Sequence, residues 1–185
     1  KTVTYAPTSN YSGSDSFTFK VSDGSLTSSA ATVSITVNAV NDAPVATAQS
    51  ISTNEDTQLS ITLAGTDPEG SNLTYALVSN PSKGTATLSG KTVTYAPTAN
   101  YSGSDSFTFK VSDGSLTSSA ATVSITVNAV NDAPVATAQS VAVNEDTQLS
   151  ITLAGTDIEG SSLTYALASN PSKGTATLSG NTVTY

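Results

Sequence analysis

The sequence predicts an all-β protein, tandem seven-stranded Greek-key β-sandwiches with a 90-residue period, and three observations predict it. The first is self-similarity. Residues 1–90 align with 91–180 without a gap and differ at seven positions: Ser9/Ala99, Ile51/Val141, Ser52/Ala142, Thr53/Val143, Pro68/Ile158, Asn72/Ser162 and Val78/Ala168. The closing NTVTY, residues 181–185, opens a third copy of KTVTY, and the period has a domain's length. The second is alternation. Val33, Ile35 and Val37 alternate with Thr32, Ser34, Thr36 and Asn38. The same period of two runs through Leu59-Ile61-Leu63, Leu73-Tyr75-Leu77, Val93-Tyr95 and Phe107-Phe109-Val111. This is the pattern of strands with one buried face and one wet face. The third is that no segment carries a helical stripe.

Taken in order over residues 43–132, the strands are A at 45–52, B at 57–64, C at 72–79, D at 84–88, E at 91–96, F at 105–112 and G at 119–129. DPEGSN separates B from C, SNPSKG separates C from D, SG separates D from E, and PTANYSGS separates E from F. SDGSLTS separates F from G, with Asp-Gly a strong turn pair. Tyr101, just before F, is expected at a corner with its hydroxyl on backbone. Leu59, Ile61, Leu63, Leu73, Tyr75, Leu77, Phe107, Phe109, Val111, Val123, Ile125 and Val127 should form one core between two sheets. AVNDAPVA stands at residues 39–46 and again at 129–136. Pro44 and Pro134 lack an N–H and fix φ, so this stretch is a stiff linker that cannot merge into a strand.

These boundaries divide the chain into three parts. Residues 1–42 hold strands E–G of one repeat, 43–132 a complete repeat, and 133–185 strands A–E of the next. Half a sandwich exposes its inner face at roughly 25 cal/mol per Å² of apolar surface. The expectation is therefore that the sequence is a window of a longer array, or that a neighbouring repeat of an identical chain completes each end, giving a head-to-tail filament.

Composition excludes several function classes. Cys, His, Met, Trp and Arg are absent, which removes disulfide, thiolate and imidazole chemistry and soft-metal sites. The net charge of −8 argues against nucleic acid, whose phosphates want clustered cations. No apolar run approaches a membrane span and no cleavable signal is visible. The lack of Cys fits a secreted bacterial protein and a cytosolic one alike.

The acids repeat with the period: Asp15/Asp105, Asp23/Asp113, Asp42/Asp132, Glu55/Glu145, Asp56/Asp146, Asp67/Asp157 and Glu69/Glu159. In a Greek-key sandwich the B–C and F–G loops share the pole where strand A enters, which places Asp67, Glu69 and Asp113 beside Asp42. The A–B and E–F loops share the opposite pole, which places Glu55, Asp56 and Asp105 toward Asp132. Gathered carboxylates repel unless a cation joins them, and hard oxygens suit Ca2+. Asp, Asn and Gly are also common in turns for backbone reasons alone, so the spacing leaves ligation and plain turns both open.

NEDTQLSITLAGTDPEGSNLTYAL at residues 54–77 resembles the cadherin pattern of a Glu before strand B, an acidic pair one residue apart and an aromatic strand C. VNAVNDAPVA resembles the cadherin inter-repeat linker, and NYSGSDSFTFKVSDG is similar to the strand-F segment of bacterial cadherin-like tandem repeats of giant extracellular adhesins. The resemblance covers the full period and implies a cadherin-like or immunoglobulin-like sandwich in an extracellular stalk whose junctions calcium stiffens. The Ca2+ ligands it implies are Glu55, Asp105, Asp132, Asp157 and Glu159 at one junction and Asp15, Asp42, Asp67, Glu69 and Asp113 at the other. Ala39 and Ala129 stand where the linker's first Asp would be, the linker is one residue shorter, and Glu69 and Glu159 replace the second Asp of the pair. One or two ions per junction are expected, not three.

Three functions compete. A structural spacer of a bacterial cell-surface or secreted adhesin needs no pocket, partners neighbouring repeats, and leaves any cell-surface or matrix ligand to other domains. A binding module would recognise glycan or another repeat homophilically, with Tyr11 as a stacking residue; Tyr75 and Tyr95 fall in core phase. An enzyme is least expected, because these acids lie in turns with no His beside them. Lys20 and Lys110 fall on the outward phase of strand F, against a buried lysine cross-link. The expected protein is an extracellular spacer, with no enzymatic activity, no nucleic acid and no membrane insertion.

Overall fold

A computed structural model describes residues 1–185 and contains only strands, turns and loops. The chain forms two compact units, Lys1–Val127 and Asn128–Tyr185. In the first unit the strands are β1 (Gly13–Phe19), β2 (Ala31–Val37), β3 (Val45–Thr47), β4 (Gln49–Asn54), β5 (Leu59–Thr62), β6 (Ala64–Thr66), β7 (Thr74–Ser79), β8 (Gly84–Ser89), β9 (Thr92–Pro97), β10 (Gly103–Ser112) and β11 (Ala121–Asn128). The second holds β12 (Val135–Ala136), β13 (Ser150–Thr152), β14 (Gly155–Thr156), β15 (Thr177–Ser179) and β16 (Thr182–Thr184).

Between residues 43 and 128 the chain closes a sandwich. One sheet has the order β4-β11-β10-β7, and the other faces it with β5-β9-β8 and the short pair β3-β6. Nine segments stand where seven strands were expected, because A and B each break once. At Ala48 strand A leaves β6 and crosses to the sheet of β11, and at Leu63 strand B breaks where its N–H reaches Lys91 O, 2.8 Å away. Burial follows the period of two: β11 alternates strictly, and Phe107, Phe109, Val123, Val93 and Tyr95 have no exposed surface. Leu59, Leu73, Tyr75 and Leu77 pack against this core half-buried. The corner forms as expected, with the Tyr101 hydroxyl donating to Ser104 O at 2.8 Å. Gly103 (φ +135°) leaves room for that ring, since a Cβ there would lie 2.9 Å from the hydroxyl oxygen.

The same residues behave differently at the two ends. Residues 1–12 form no strand, so strand E, expected there, is missing and only the β1–β2 hairpin remains. In the second unit β13, β15 and β16 form one small sheet and β12 pairs β14, but residues 162–169, expected as strand C, carry no strand. In the closed sandwich strand C pairs with β10, and strand E lies between β5 and β8. Within each end those ladder partners are missing, and a lone extended segment leaves its backbone N–H and C=O groups to water.

Candidate metal site at the linker pole

The pole where residues 39–46 enter the closed sandwich is built by two turns. After β6, Asp67 Oδ1 accepts the N–H groups of Glu69 (3.1 Å) and Ser71 (2.9 Å), and Gly70 at φ +76° closes the turn back onto Asp67 O. After β10, Asp113 Oδ1 accepts the N–H groups of Ser115 and Leu116, each at 2.6 Å. Hydrogen bonds from the Leu116 N–H, the Asn41 amide and the Ser115 N–H hold the Asp113 carboxyl below the usual carboxylate range. Asp23, in the same turn of the β1–β2 hairpin, is lowered by the Leu26 and Ser25 N–H groups.

The linker docks onto both turns. Asn41 Nδ2 donates to Asp113 Oδ2 at 2.8 Å, and the Asp42 N–H donates to Glu69 Oε2 at 3.0 Å. The second unit repeats the latter bond from Asp132 N to Glu159 Oε2 at 3.3 Å, and Asp157 Oδ1 accepts Ser161 N at 2.8 Å. A groove of about 620 Å³ opens here, lined by Tyr11, Val40, Asp42, Pro68 and Glu69 among others. Four of the five residues expected at this junction thus come to one pole. Asp15 is engaged elsewhere: its Oδ2 accepts the Tyr5 hydroxyl at 2.9 Å and its Oδ1 the Ser16 N–H at 2.7 Å.

Hard carboxylate oxygens fit Ca2+ by type. Asp67 Oδ2 fits it further, being buried with no hydrogen-bond partner, the condition in which an ion or ordered water is wanted. The spacing does not close into a cage: no three acidic side chains stand near enough to hold one ion, and the linker's N–H groups occupy Glu69 Oε2 and Asp113 Oδ2.

At the opposite end of the closed sandwich, the turn after β4 places Asp56 at φ +55° with Oδ1 on the Asn100 N–H (3.0 Å), and buries Glu55. Asp105 corrects the expected placement. Strand β10 begins at Gly103, two residues before the expected start at Asp105, so Asp105 is the third residue of the strand and its carboxyl turns into the sandwich. It is buried, and its oxygens accept Ser82 N (3.0 Å), Lys83 N (3.0 Å), Ser106 N (2.9 Å) and the Tyr95 hydroxyl (2.9 Å). Burial first, and then the bond to Asp105, push the Tyr95 hydroxyl well above the usual tyrosine range. The signal was in the sequence, since Asp105 is two residues before Phe107 and shares its inward phase. The roles of Asn41 and Tyr95 carried no such signal: the partner of Asn41 lies 72 residues on, and the Tyr95 hydroxyl meets Asp105 only when the two sheets face each other.

The sequence profile of the bacterial Ig domain matches residues 41–126 and 131–185, more than half of the chain. The chain belongs to the bacterial Ig domain family. The profile of the cadherin-like domain matches residues 1–38 of this bacterial Ig chain. It is 33% identical over 186 residues to integrin beta-like protein B of Dictyostelium discoideum, covering 89% of the chain and 10% of that protein. It is 33% identical over 140 residues to integrin beta-like protein A of the same organism, over 64% of the chain and 7% of that protein. The chain thus spans about a tenth or less of the length of these curated relatives. Among solved structures, the protocadherin gammaB4 extracellular domain matches with a TM-score of 0.54 at 18% identity, over 91% of this chain and 33% of that one. This likeness shows the fold. The bacterial Ig chain is accordingly a cadherin-like, immunoglobulin-like all-β repeat protein.

Proposed function

We propose that these residues are spacer repeats in the stalk of a bacterial cell-surface or secreted adhesin, with Ca2+ stiffening the junctions between repeats. The repeat boundaries in this reading are 1–42, 43–132 and 133–185, with only the middle repeat complete. Two 90-residue periods that differ at seven positions preserve mechanics and surface together, as a spacer requires. The observation that carries the calcium reading is the linker pole, where Asp67 Oδ2 is buried without a partner beside the turn that receives Asp42. In this reading the ligands come from Asp42, Asp67, Glu69 and Asp113 at one junction and from Asp132, Asp157 and Glu159 at the next, and they must draw together onto the ion, since no three of them stand near enough as they are. A bound Ca2+ would tie the linker to two turns of one repeat and fix the angle at which the preceding repeat leaves. The partners in this reading are neighbouring repeats of the same or an identical chain, and enzymatic activity is not expected. No helix of the chain is long and apolar enough to cross a membrane.

X-ray scattering on a multi-repeat array, in calcium and then in chelator, tests the reading. Calcium should lengthen and stiffen the particle and raise its melting temperature, about 2.7 kcal/mol of stabilisation at a hundredfold excess over Kd. Asp132→Ala should abolish the response at its junction while each sandwich stays folded. An unchanged maximum dimension and an unchanged melting temperature overturn it.

A further inference from the structure

The closed sandwich contains a contact of which each end of the chain holds one half. Asp105 reaches across to the Ser82 and Lys83 N–H groups and the Tyr95 hydroxyl. One period away, Asp15 stands at the place of Asp105, and Ser172, Lys173 and Tyr185 stand at the places of the three donors. Residues 133–185 therefore carry the donors, and residues 1–42 carry the carboxylate.

The surrounding surfaces divide in the same way. Residues 13–37 are identical in sequence to residues 103–127, which cover the inner face of the closed sandwich. Phe19 is 46% exposed where Phe109 is 0%, and Tyr185 is 37% exposed where Tyr95 is 0%. A groove of about 490 Å³ in the second unit is lined by Asp146, Lys173, Gly174 and Tyr185. In the closed sandwich, the residues one period earlier receive the segment running from Thr98 to Asp105: Lys83 O accepts Thr98 N at 2.8 Å and Asp56 accepts Asn100 N at 3.0 Å. The matching segment, residues 8–15, already has that shape. Tyr11 N bonds Thr8 O at 3.1 Å, as Tyr101 N bonds Thr98 O at 3.1 Å, and Asn10 has φ 60° where Asn100 has φ 55°.

We infer that, between copies of the 185-residue polypeptide, the β1–β2 hairpin of one covers the open face of residues 133–185 of a second, and that Asp15 sets the fit by accepting from Ser172, Lys173 and Tyr185. The inference rests on the spacer reading in taking the repeats as interchangeable, but it needs no calcium. It also contains a competitor. KTVTY at residues 1–5 and NTVTY at 181–185 are the same strand, and the docked sandwich has one place for it. Strand β16 already holds that place between β13 and β15, whereas Tyr5 belongs to no strand and is bonded to Asp15. Docking exchanges Tyr5 for Tyr185 on the Asp15 carboxylate.

Sedimentation of the 185-residue chain across a concentration series, in chelator and in calcium, tests this. Association that rises with concentration in both buffers is expected. Asp15→Ala should weaken it about tenfold or more, Tyr185→Phe should weaken it about fivefold, and Tyr5→Phe should strengthen it. The melting of the closed sandwich in Asp15→Ala should match the parent, which separates lost docking from lost folding. A monomer at every concentration, association indifferent to Asp15→Ala and Tyr185→Phe, or weakening by Tyr5→Phe overturns the inference. Association in chelator leaves it standing even where the scattering experiment rejects calcium.

Discussion

At the third residue of β10 a carboxylate lies inside the sandwich, where water cannot stabilise its charge, and four protein donors do so instead. Those donors come from the entrance to β8, from β9 and from β10 itself, so one side chain ties both sheets. Asp105→Ala should destabilise the closed sandwich by about 3–5 kcal/mol, because it orphans a buried hydroxyl and backbone N–H groups together. Tyr95→Phe should cost only about 1 kcal/mol, since the N–H bonds survive. Urea unfolding of the whole chain measures both. Asp113 sits outside the core and responds to acid instead. Its folded pKa is lowered, so its contribution is present above the ordinary carboxylate value near 4 and is lost as pH falls through the lower folded value. Hydrogen exchange at the Leu116 amide should therefore stay slow above the ordinary carboxylate value and speed up once the pH falls below it, beyond the intrinsic pH trend, and Asp113→Asn should remove most of that step.

The elements show what a single sequence reveals and what it withholds. The alternation of Phe107, Phe109 and Val111 fixed the inward face correctly, and Phe109 is fully buried. The same alternation in residues 163–167 predicted a strand that is absent, although TYAL there is identical to the start of β7. Side-chain pattern states which face is apolar; only a partner states whether a ladder forms, and the partner lies some thirty residues further along. The breaks at Ala48 and Leu63 were likewise illegible, because the crossing of strand A is set by two sheets that neither residue encodes. Of the candidate site, the two acidic turns were legible from Asp-x-Glu-Gly and Asp-Gly, while the Asn41 bond to Asp113 spans 72 residues and left no local mark. Amide exchange at dilutions where the chain is monomeric should protect Thr74 and Ala76, whose N–H groups face β10, and leave Thr164 and Ala166 fast. Equal protection would show that strand C forms without β10.

At the scale of the whole molecule, the closed sandwich and the second unit show nearly one sequence with and without strands F and G. A repeat leaving a ribosome or an export channel N-terminus first presents strands A to E before F and G exist. Residues 133–185 show what strands A to E make without F and G: the β13–β16–β15 sheet and the β12–β14 pair form, residues 162–169 carry no strand, and the groove beside Tyr185 stands open. Synthesis order then protects fidelity. Every repeat already emerged has its groove filled by its own hairpin, so the newest open half meets its own F–G segment next, within a few seconds of translation. Errors would come from beside the channel and not from along the chain, wherever two neighbouring polypeptides wait at the same half-finished stage.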